Sequence, residues 1–154
     1  MSEKSESAKL VLQLYDLRRE KKMRKARSWF FSFDPTSADD YMQTMMDEKD
    51  GAYLRMVTSY WEMAAALVNQ GCIDRDVFTA TNSEYFIIFA KIEPYLAELR
   101  VKFDSPEAFS AVEQLINSQP GGPERLRKTQ EWLKNFAAMR NADKSKKDEK
   151  AAKA

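Results

Sequence analysis

One segment of the chain combines the residue types that bind anions: the run RREKKMRKARSWFFSF, residues 18–33. Its first ten residues carry seven basic side chains and one acidic side chain, a net charge of +6, and aromatic rings follow at once. Basic groups followed by rings can bind lipid headgroups, nucleic-acid phosphates with stacked bases, or an acidic groove of a protein. The candidate contact residues are Arg18, Arg19, Lys21, Lys22, Arg24, Lys25, Arg27, Trp29, Phe30 and Phe31.

A purely structural role is the alternative for this segment. Charge runs usually form the solvated face of a helix, and clustered rings usually belong to a core. On that interpretation the rings of residues 29–33 dock the first helix on the rest of the protein. The acidic stretch 34–51, with six acids and one lysine, can then neutralise the basic run within the chain or across a dimer. Burial of the rings decides between the two interpretations.

Residues suited to catalysis are scarce elsewhere. The 154 residues include no histidine and a single cysteine, Cys72. A Ser-His or Cys-His pair, an imidazole proton shuttle and an ordinary zinc site are therefore excluded. Apolar neighbours such as Trp61 can raise the pKa of Glu62, but the position of Glu62 on a polar helix stripe favours a hydrogen bond at the surface or to another helix. The sequence predicts a protein that is not an enzyme and has no cofactor, metal or small-molecule substrate.

Composition limits the class of protein and its partners. A length of 154 residues with 44% apolar side chains is typical of one soluble domain. With 25 basic and 24 acidic residues the net charge is only +1, so any attraction to lipid or nucleic acid must be local. No segment resembles a signal peptide or a membrane span, which predicts a cytoplasmic protein, with peripheral attachment to the inner face of the membrane as the alternative. Cys72 is predicted to be a small buried side chain.

The candidate residues must be positioned by helices, because apolar residues recur at helical spacing and no stretch alternates like a strand. We predict an all-α fold: a single bundle of about five to six helices within residues 7–141. The first helix is predicted to be long, residues 7–27, and to carry the basic run. A disordered start (1–6) and a disordered charged tail (142–154) are predicted to flank the bundle.

Two nearly all-apolar segments predict helices in the middle of the bundle. In residues 53–70 the polar side chains, Thr58 among them, fall on one narrow stripe, and Met63 is among the apolar residues expected to face inward. Residues 83–102 have a polar stripe that includes Lys91, and Pro94 predicts a kink or a break.

Three further helices are predicted from their start signals: one that opens at Thr36 and ends before a loop or a mere kink at 47–51, one over 105–118 and one over 124–141. The last of these is expected to turn Trp132 and Met139 inward.

Three strings carry a resemblance to a known family: YWEMAAALVNQGCIDRDVF at 60–78, KIEPYLAELR at 91–100 and SPEAFSAVEQL at 105–115. In this order they resemble an uncharacterised bacterial family of small helical proteins, a domain of unknown function. In that family a WE helix closes on glycine, an ID turn follows, and a proline-bearing helix ends in arginine before a further helix. The resemblance implies a family-like helical core over residues 35–118 and is silent on chemistry.

The function favoured by the sequence is that of a non-catalytic helical interaction module that self-associates or docks a protein partner. Eight methionines and three tryptophans supply adaptable contact area. The alternative is a peripheral binder of an anionic membrane or of nucleic acid through residues 18–33. Salt dependence separates them, because phosphate contacts weaken steeply with added salt and an apolar interface does not.

Overall fold

The computed structural model describes residues 2–154, and in that range it contains nine α-helices, one short 3-10 turn and no strand. The helices are α1 Glu3–Arg18, α2 Lys21–Ser32, α3 Ala38–Met46, α4 Glu48–Asn69, α5 Arg75–Thr81, α6 Glu84–Ile92, α7 Leu96–Lys102, α8 Ser110–Asn117 and α9 Gly122–Lys153. The fold is all-α as predicted, but its helices are more numerous than the five to six expected.

Helix α4 lies at the centre of the fold, since it packs against α2, α3, α5 and α8. Its buried side chains include Leu54, Val57 and Trp61, and the ring of Trp61 lies 6.2 Å from that of Tyr85 on the apolar helix α6. Burying one large apolar side chain contributes about 1.5–3 kcal/mol of transfer free energy. The two segments predicted to be most apolar therefore supply much of the core.

Carboxylate and hydroxyl groups fix where several helices begin. Glu20 Oε2 accepts the Met23 amide N–H at 3.0 Å and caps α2, and Ser37 Oγ accepts the Asp40 amide N–H at 3.0 Å and caps α3. Asp47 caps α4 in the same way through the amides of residues 49 and 50. Each such cap is worth about 1 kcal/mol.

The prediction of one long helix over residues 7–27 is wrong, because the chain breaks between α1 and α2. Glu20 leaves helical geometry, with ψ of 143°, and caps the new helix. Leu14 and Met23, both buried, would lie on different sides of one straight helix, so the break lets both face the core. Helix α1 also begins at Glu3, inside the segment 1–6 expected to be disordered.

Of the loop and the kink considered for residues 47–51, the structure has the kink, because these residues form the cap and the first turn of α4. Asp47 alone separates α3 from α4. Gly51 lies so close to the end of α3 that a Cβ atom there would overlap the carbonyl oxygen of Met45. The glycine therefore permits close approach of two helices and does not open a loop.

Pro94 produces the predicted break. Helix α6 ends at Ile92, and residues 93–95 form the 3-10 turn that leads into α7. Helix α8 begins later than predicted, because residues 106–109 form turns. Phe109, just before α8, has a left-handed conformation with φ of 61° and supplies no side-chain cap.

The prediction of a disordered tail over residues 142–154 is also wrong, since α9 continues to Lys153. All side chains from Asn141 onward are exposed, so helix preference holds this part together and packing does not. Lysine, glutamate and alanine favour helices, and the Asp143–Lys147 pair at 3.1 Å adds a small contribution. No helix among residues 2–154, α9 included, has both the length and the apolar character needed to cross a membrane.

Three smaller expectations about burial are wrong. Cys72, expected to be buried, is exposed in the turn after Gly71. Met63 is 44% exposed although it was expected to face inward. Thr58, expected on the polar stripe, is buried, and its hydroxyl donates to the Leu54 carbonyl oxygen at 2.8 Å within its own helix.

Candidate interaction surfaces

Two of the seven basic candidate residues are engaged inside the protein. Arg27 of α2 binds the Glu84 carboxylate of α6, with Nε 3.2 and 3.1 Å from its two oxygens and Nη2 2.8 Å from one of them. Arg18 lies 3.9 Å from the same carboxylate and over the rings of Tyr15 and Trp61. Both arginines are mostly covered, so this cluster joins α1, α2 and α6.

Five candidate residues remain exposed around the junction of α1 and α2. They are called the basic corner here: Arg19, Lys21, Lys22, Arg24 and Lys25. Within residues 2–154 none of the five forms an ion pair. Glu20 lies among them, and the backbone N–H groups of Lys22 and Met23 hold the pKa of this carboxyl below its usual range. The corner therefore carries a net positive charge.

Apolar side chains of α1 are exposed beside the basic corner. Leu12, Tyr15 and Leu17 are 66%, 46% and 56% exposed. The guanidinium of Arg19 lies 5.5 Å from the centre of the Tyr15 ring. The structure thus places apolar groups next to the basic residues, but they come from α1 and not from the rings that the sequence pointed to.

The predicted rings of α2 are largely part of the core. Phe30 is 1% exposed. Trp29 is half-buried and stacks on the buried ring of Phe33, with centroids 5.0 Å apart and an interplanar angle of 19°. Only Phe31 reaches the surface, with 37% of its area exposed.

Phe31 belongs to a cluster with Trp132 and Phe136 of α9. These three residues, together with Met139 one helical turn after Phe136, are called the aromatic seam here. The ring of Phe136 lies 5.3 Å from both Phe31 and Trp132. Trp132 and Met139, predicted to face inward, are 49% and 69% exposed. At the far side of the seam Arg140 donates to Asp34 at 2.5 Å. The seam attaches α9 to α2 and still presents apolar surface to solvent.

Lys91, predicted on the polar stripe of its helix, is buried instead. Its Nζ donates to the carbonyl oxygens of Phe30, Phe31 and Phe33 at 3.0, 2.8 and 2.7 Å, and lies 3.3 Å from Asp34 Oδ1. These carbonyls lie at the end of α2, and the Phe30 oxygen also accepts the Phe33 amide N–H at 3.0 Å. Burial lowers the pKa of Lys91, and the Asp34 carboxylate opposes that shift. The signal in the sequence was a lone lysine in the apolar run FIIFAKI.

Glu62 makes the hydrogen bond to another helix that its position predicted. Its carboxylate accepts the amide N–H groups of Ala111 and Val112 at 2.7 and 3.2 Å. Because Phe109 offers no cap, Glu62 of α4 supplies the missing acceptors at the start of α8.

The polar residues in the strings that carried the family resemblance act at joints between elements. Besides Glu62 and Lys91, Asp74 caps α5 and its amide N–H donates to Ser7 Oγ of α1 at 2.8 Å. Arg100 donates from Nε to a carbonyl oxygen of the following turn at 3.1 Å and from Nη2 to a carboxylate of α8 at 2.9 Å. These residues therefore hold the helices together.

The helices connected by these residues lie within the part of the chain that matches a known protein family. The model of a family described as a domain of unknown function, DUF4760, matches residues 5–119. The chain belongs to the DUF4760 family. The match runs from α1 to α8, which extends the expected family-like core of residues 35–118 in the N-terminal direction, and α9 lies beyond it. No curated protein and no solved structure matches the chain significantly.

Proposed function

We propose that this DUF4760 protein is a non-catalytic helical module that binds a protein partner, or a second copy of itself, through the aromatic seam. The observation that supports this is the exposure of Phe31, Trp132 and Met139 around Phe136. Leaving clustered apolar groups in water is unfavourable, and covering them with a partner recovers that free energy. Aromatic residues and methionine are also the side chains most enriched at the centres of interfaces.

The engagement of the polar side chains supports a non-catalytic role. The carboxylate of Glu62 is taken up by two amide groups, and the ammonium of Lys91 by three carbonyl oxygens. Glu84 is held by Arg27 and Arg18. Each of these charged groups is already bound within the protein. We therefore assign the contacts with a partner to side chains at the surface of the module.

A photo-crosslinking amino acid in place of Met139, expressed in the native cell, tests the proposal. We expect one discrete adduct of higher mass, because the side chain lies within the proposed interface, and we expect it to persist at high salt. An adduct of twice the monomer mass identifies a second copy. The control is the same amino acid at Arg127, an exposed position on another side of α9. Identical adducts from both positions, or none from Met139, contradict the proposal.

A second candidate function is supported by the basic corner. Five exposed cations beside Leu12, Tyr15 and Leu17 suit an anionic surface, either the inner face of the membrane reached from the cytoplasm or nucleic acid. The apolar side chains of α1 would lie at the lipid interface and the cations at the headgroups. This function uses a different part of the molecule from the aromatic seam.

Two matched variants test the second candidate. In one, the five residues of the basic corner are changed to glutamine; in the other, five exposed lysines of α9 are changed: Lys144, Lys146, Lys147, Lys150 and Lys153. Binding to phosphatidylglycerol vesicles and to duplex DNA is measured over a range of salt. We expect the corner variant alone to lose binding and its salt dependence. Equal loss in both variants would show that net charge alone is responsible.

A further inference from the structure

A groove follows the outer side of α6, between α2 and α9. It consists of two adjoining cavities of about 240 and 450 Å³ that share Ile87 of α6. The smaller is bounded by α2 and the larger by α9. The side chains that matter for binding are Arg27 and Phe31 on one wall, Ile87 on the floor, and Arg125, Lys128 and Trp132 on the other wall.

Both walls present the same order of side chains. On α2, Arg27 precedes Phe31 by four residues, and on α9, Lys128 precedes Trp132 by the same spacing. Arg125 lies seven residues before Trp132 on the same side of α9. Seven residues of helix span about 10 Å. The rings of Phe31 and Trp132 lie 6.4 Å apart and close the groove at one end. The groove therefore has a basic open end and an aromatic closed end.

The open end keeps a positive charge. Its acid, Glu84, is already neutralised by Arg27 and Arg18. The guanidinium of Arg125 lies 4.2 Å from the centre of the Phe86 ring and, within residues 2–154, forms no ion pair. An arginine stacked in this way keeps the N–H groups at its edge available to a carboxylate. Lys128 touches Glu124 at 3.5 Å, but both are highly exposed, so that contact is weak.

We propose that this groove binds an acidic amphipathic helix of a partner protein. An apolar side chain of the partner lies over Ile87 against the rings of Phe31 and Trp132, and carboxylates one to two turns away bind Arg125 and Lys128. This rests on the proposed function above, because the aromatic seam forms the closed end of the groove. The groove length of about 10 Å matches two turns of the bound helix.

A synthetic peptide serves as the probe: three helical turns of glutamate and alanine with leucines at positions i and i+4, carrying a fluorescent label. Binding is measured by fluorescence anisotropy and located by backbone amide chemical shifts. The variant R125E/K128E reverses two charges at the open end, and R127E/K146E reverses two exposed charges elsewhere on the same helix. Circular dichroism confirms that both variants fold.

We expect binding to weaken roughly ten-fold or more in R125E/K128E and to change less than about two-fold in the control. The amide chemical shifts that change on addition of the peptide should belong to residues of α2, α6 and α9. A peptide of the same composition with its leucines moved to opposite sides should bind poorly. Equal binding of that peptide, an equal effect of the control variant, or shifts confined to the basic corner would overturn the proposal.

The crosslink at Met139 separates this inference from the proposed function. If R125E/K128E abolishes peptide binding and also the crosslink in cells, the partner uses the groove as proposed. If the crosslink persists unchanged in R125E/K128E, the seam binds a partner but the groove does not receive its acidic helix, which overturns the inference alone. If the wild-type protein gives no crosslink, the proposed function fails.

Discussion

The interior around α4 and the outer side of α9 use the same kinds of side chain in opposite ways. Inside, Glu62 and Lys91 are withdrawn from water and saturated by backbone groups, while the large rings are buried. In the 32 residues of α9 only Gly122 and Leu126 are buried, and Trp132 is left half in water. If stability resides in the interior joints and the seam has the binding role proposed for it, changes to the two regions should have separable effects.

Replacing Lys91 with methionine should have the largest effect on stability. The change removes the Lys91 donor from three carbonyl oxygens at the end of α2, at a position that is 6% exposed; the Phe30 oxygen keeps the Phe33 amide N–H. Unsatisfied buried groups of this kind should cost about 3 kcal/mol of unfolding free energy in total. Urea denaturation measures it as a lower midpoint with an unchanged slope.

Lys25→Met is the matched control, because Lys25 is exposed on α2 and binds no carbonyl group in the described chain. It should change the unfolding free energy by less than about 0.5 kcal/mol. Equal losses of unfolding free energy in Lys91→Met and Lys25→Met would mean that Lys91 contributes no more to stability than an exposed lysine.

Glu62→Ala should have the next largest effect, since it removes the acceptors for two amide N–H groups at the start of α8. A lost helix cap costs about 1–2 kcal/mol. Glu62→Gln keeps one acceptor oxygen and should lose about half as much. Thermal and urea unfolding should show that stability decreases in the order wild type, Glu62→Gln, Glu62→Ala. A Glu62→Ala variant as stable as wild type would contradict the capping role.

Tyr60→Phe should alter how stability depends on alkaline pH. The Tyr60 hydroxyl donates to the Leu14 carbonyl oxygen at 2.5 Å, and burial raises its pKa to about 12 from the ordinary value of 10.0. The folded protein thus keeps this proton more tightly than the unfolded chain. The resulting stabilisation is present below pH 10 and is lost as the pH rises toward 12.

Urea titrations from pH 8 to pH 12 measure this effect. In Tyr60→Phe the loss of stability above pH 10 should be shallower than in wild type, by less than about 1.4 kcal/mol for each pH unit. A slope remains, because burial also raises the pKa values of Tyr41 and Tyr85. An unaltered slope in Tyr60→Phe would show that this hydroxyl ionises equally in both states.

Sequence patterns predicted the apolar helices well and their joints poorly. The periodicity of residues 53–70 and the position of Pro94 led correctly to α4 and to the break after α6. Lys91 was misplaced because periodicity assigns a charged residue to the solvent side, whereas its partners lie about 60 residues away in the chain. Bonds between distant residues leave no local signal.

The basic run and the aromatic seam also depend on contacts between distant residues that sequence patterns do not show. The basic run was visible in the sequence, and five of its seven cations are exposed. Arg18 and Arg27 could not be told apart from the other five, because their engagement depends on Glu84 of a distant helix. The seam was missed since Trp132 and Met139 have the spacing of a buried stripe, and only the arrangement of α9 against α2 shows that the stripe is incompletely covered.

Truncating the chain after Asn141 should have the smallest effect on stability. It tests whether the exposed end of α9 contributes to the stability of the bundle. The removed residues are all exposed, and the Arg140–Asp34 contact is retained. We expect the helical circular dichroism signal to fall in proportion to the residues removed, while the unfolding free energy changes by less than about 0.5 kcal/mol. The crosslink from position 139 should also be retained. A loss above about 1 kcal/mol would show that the end of α9 stabilises the bundle, and the separation between a stabilising interior and a binding surface would then have to include the tail.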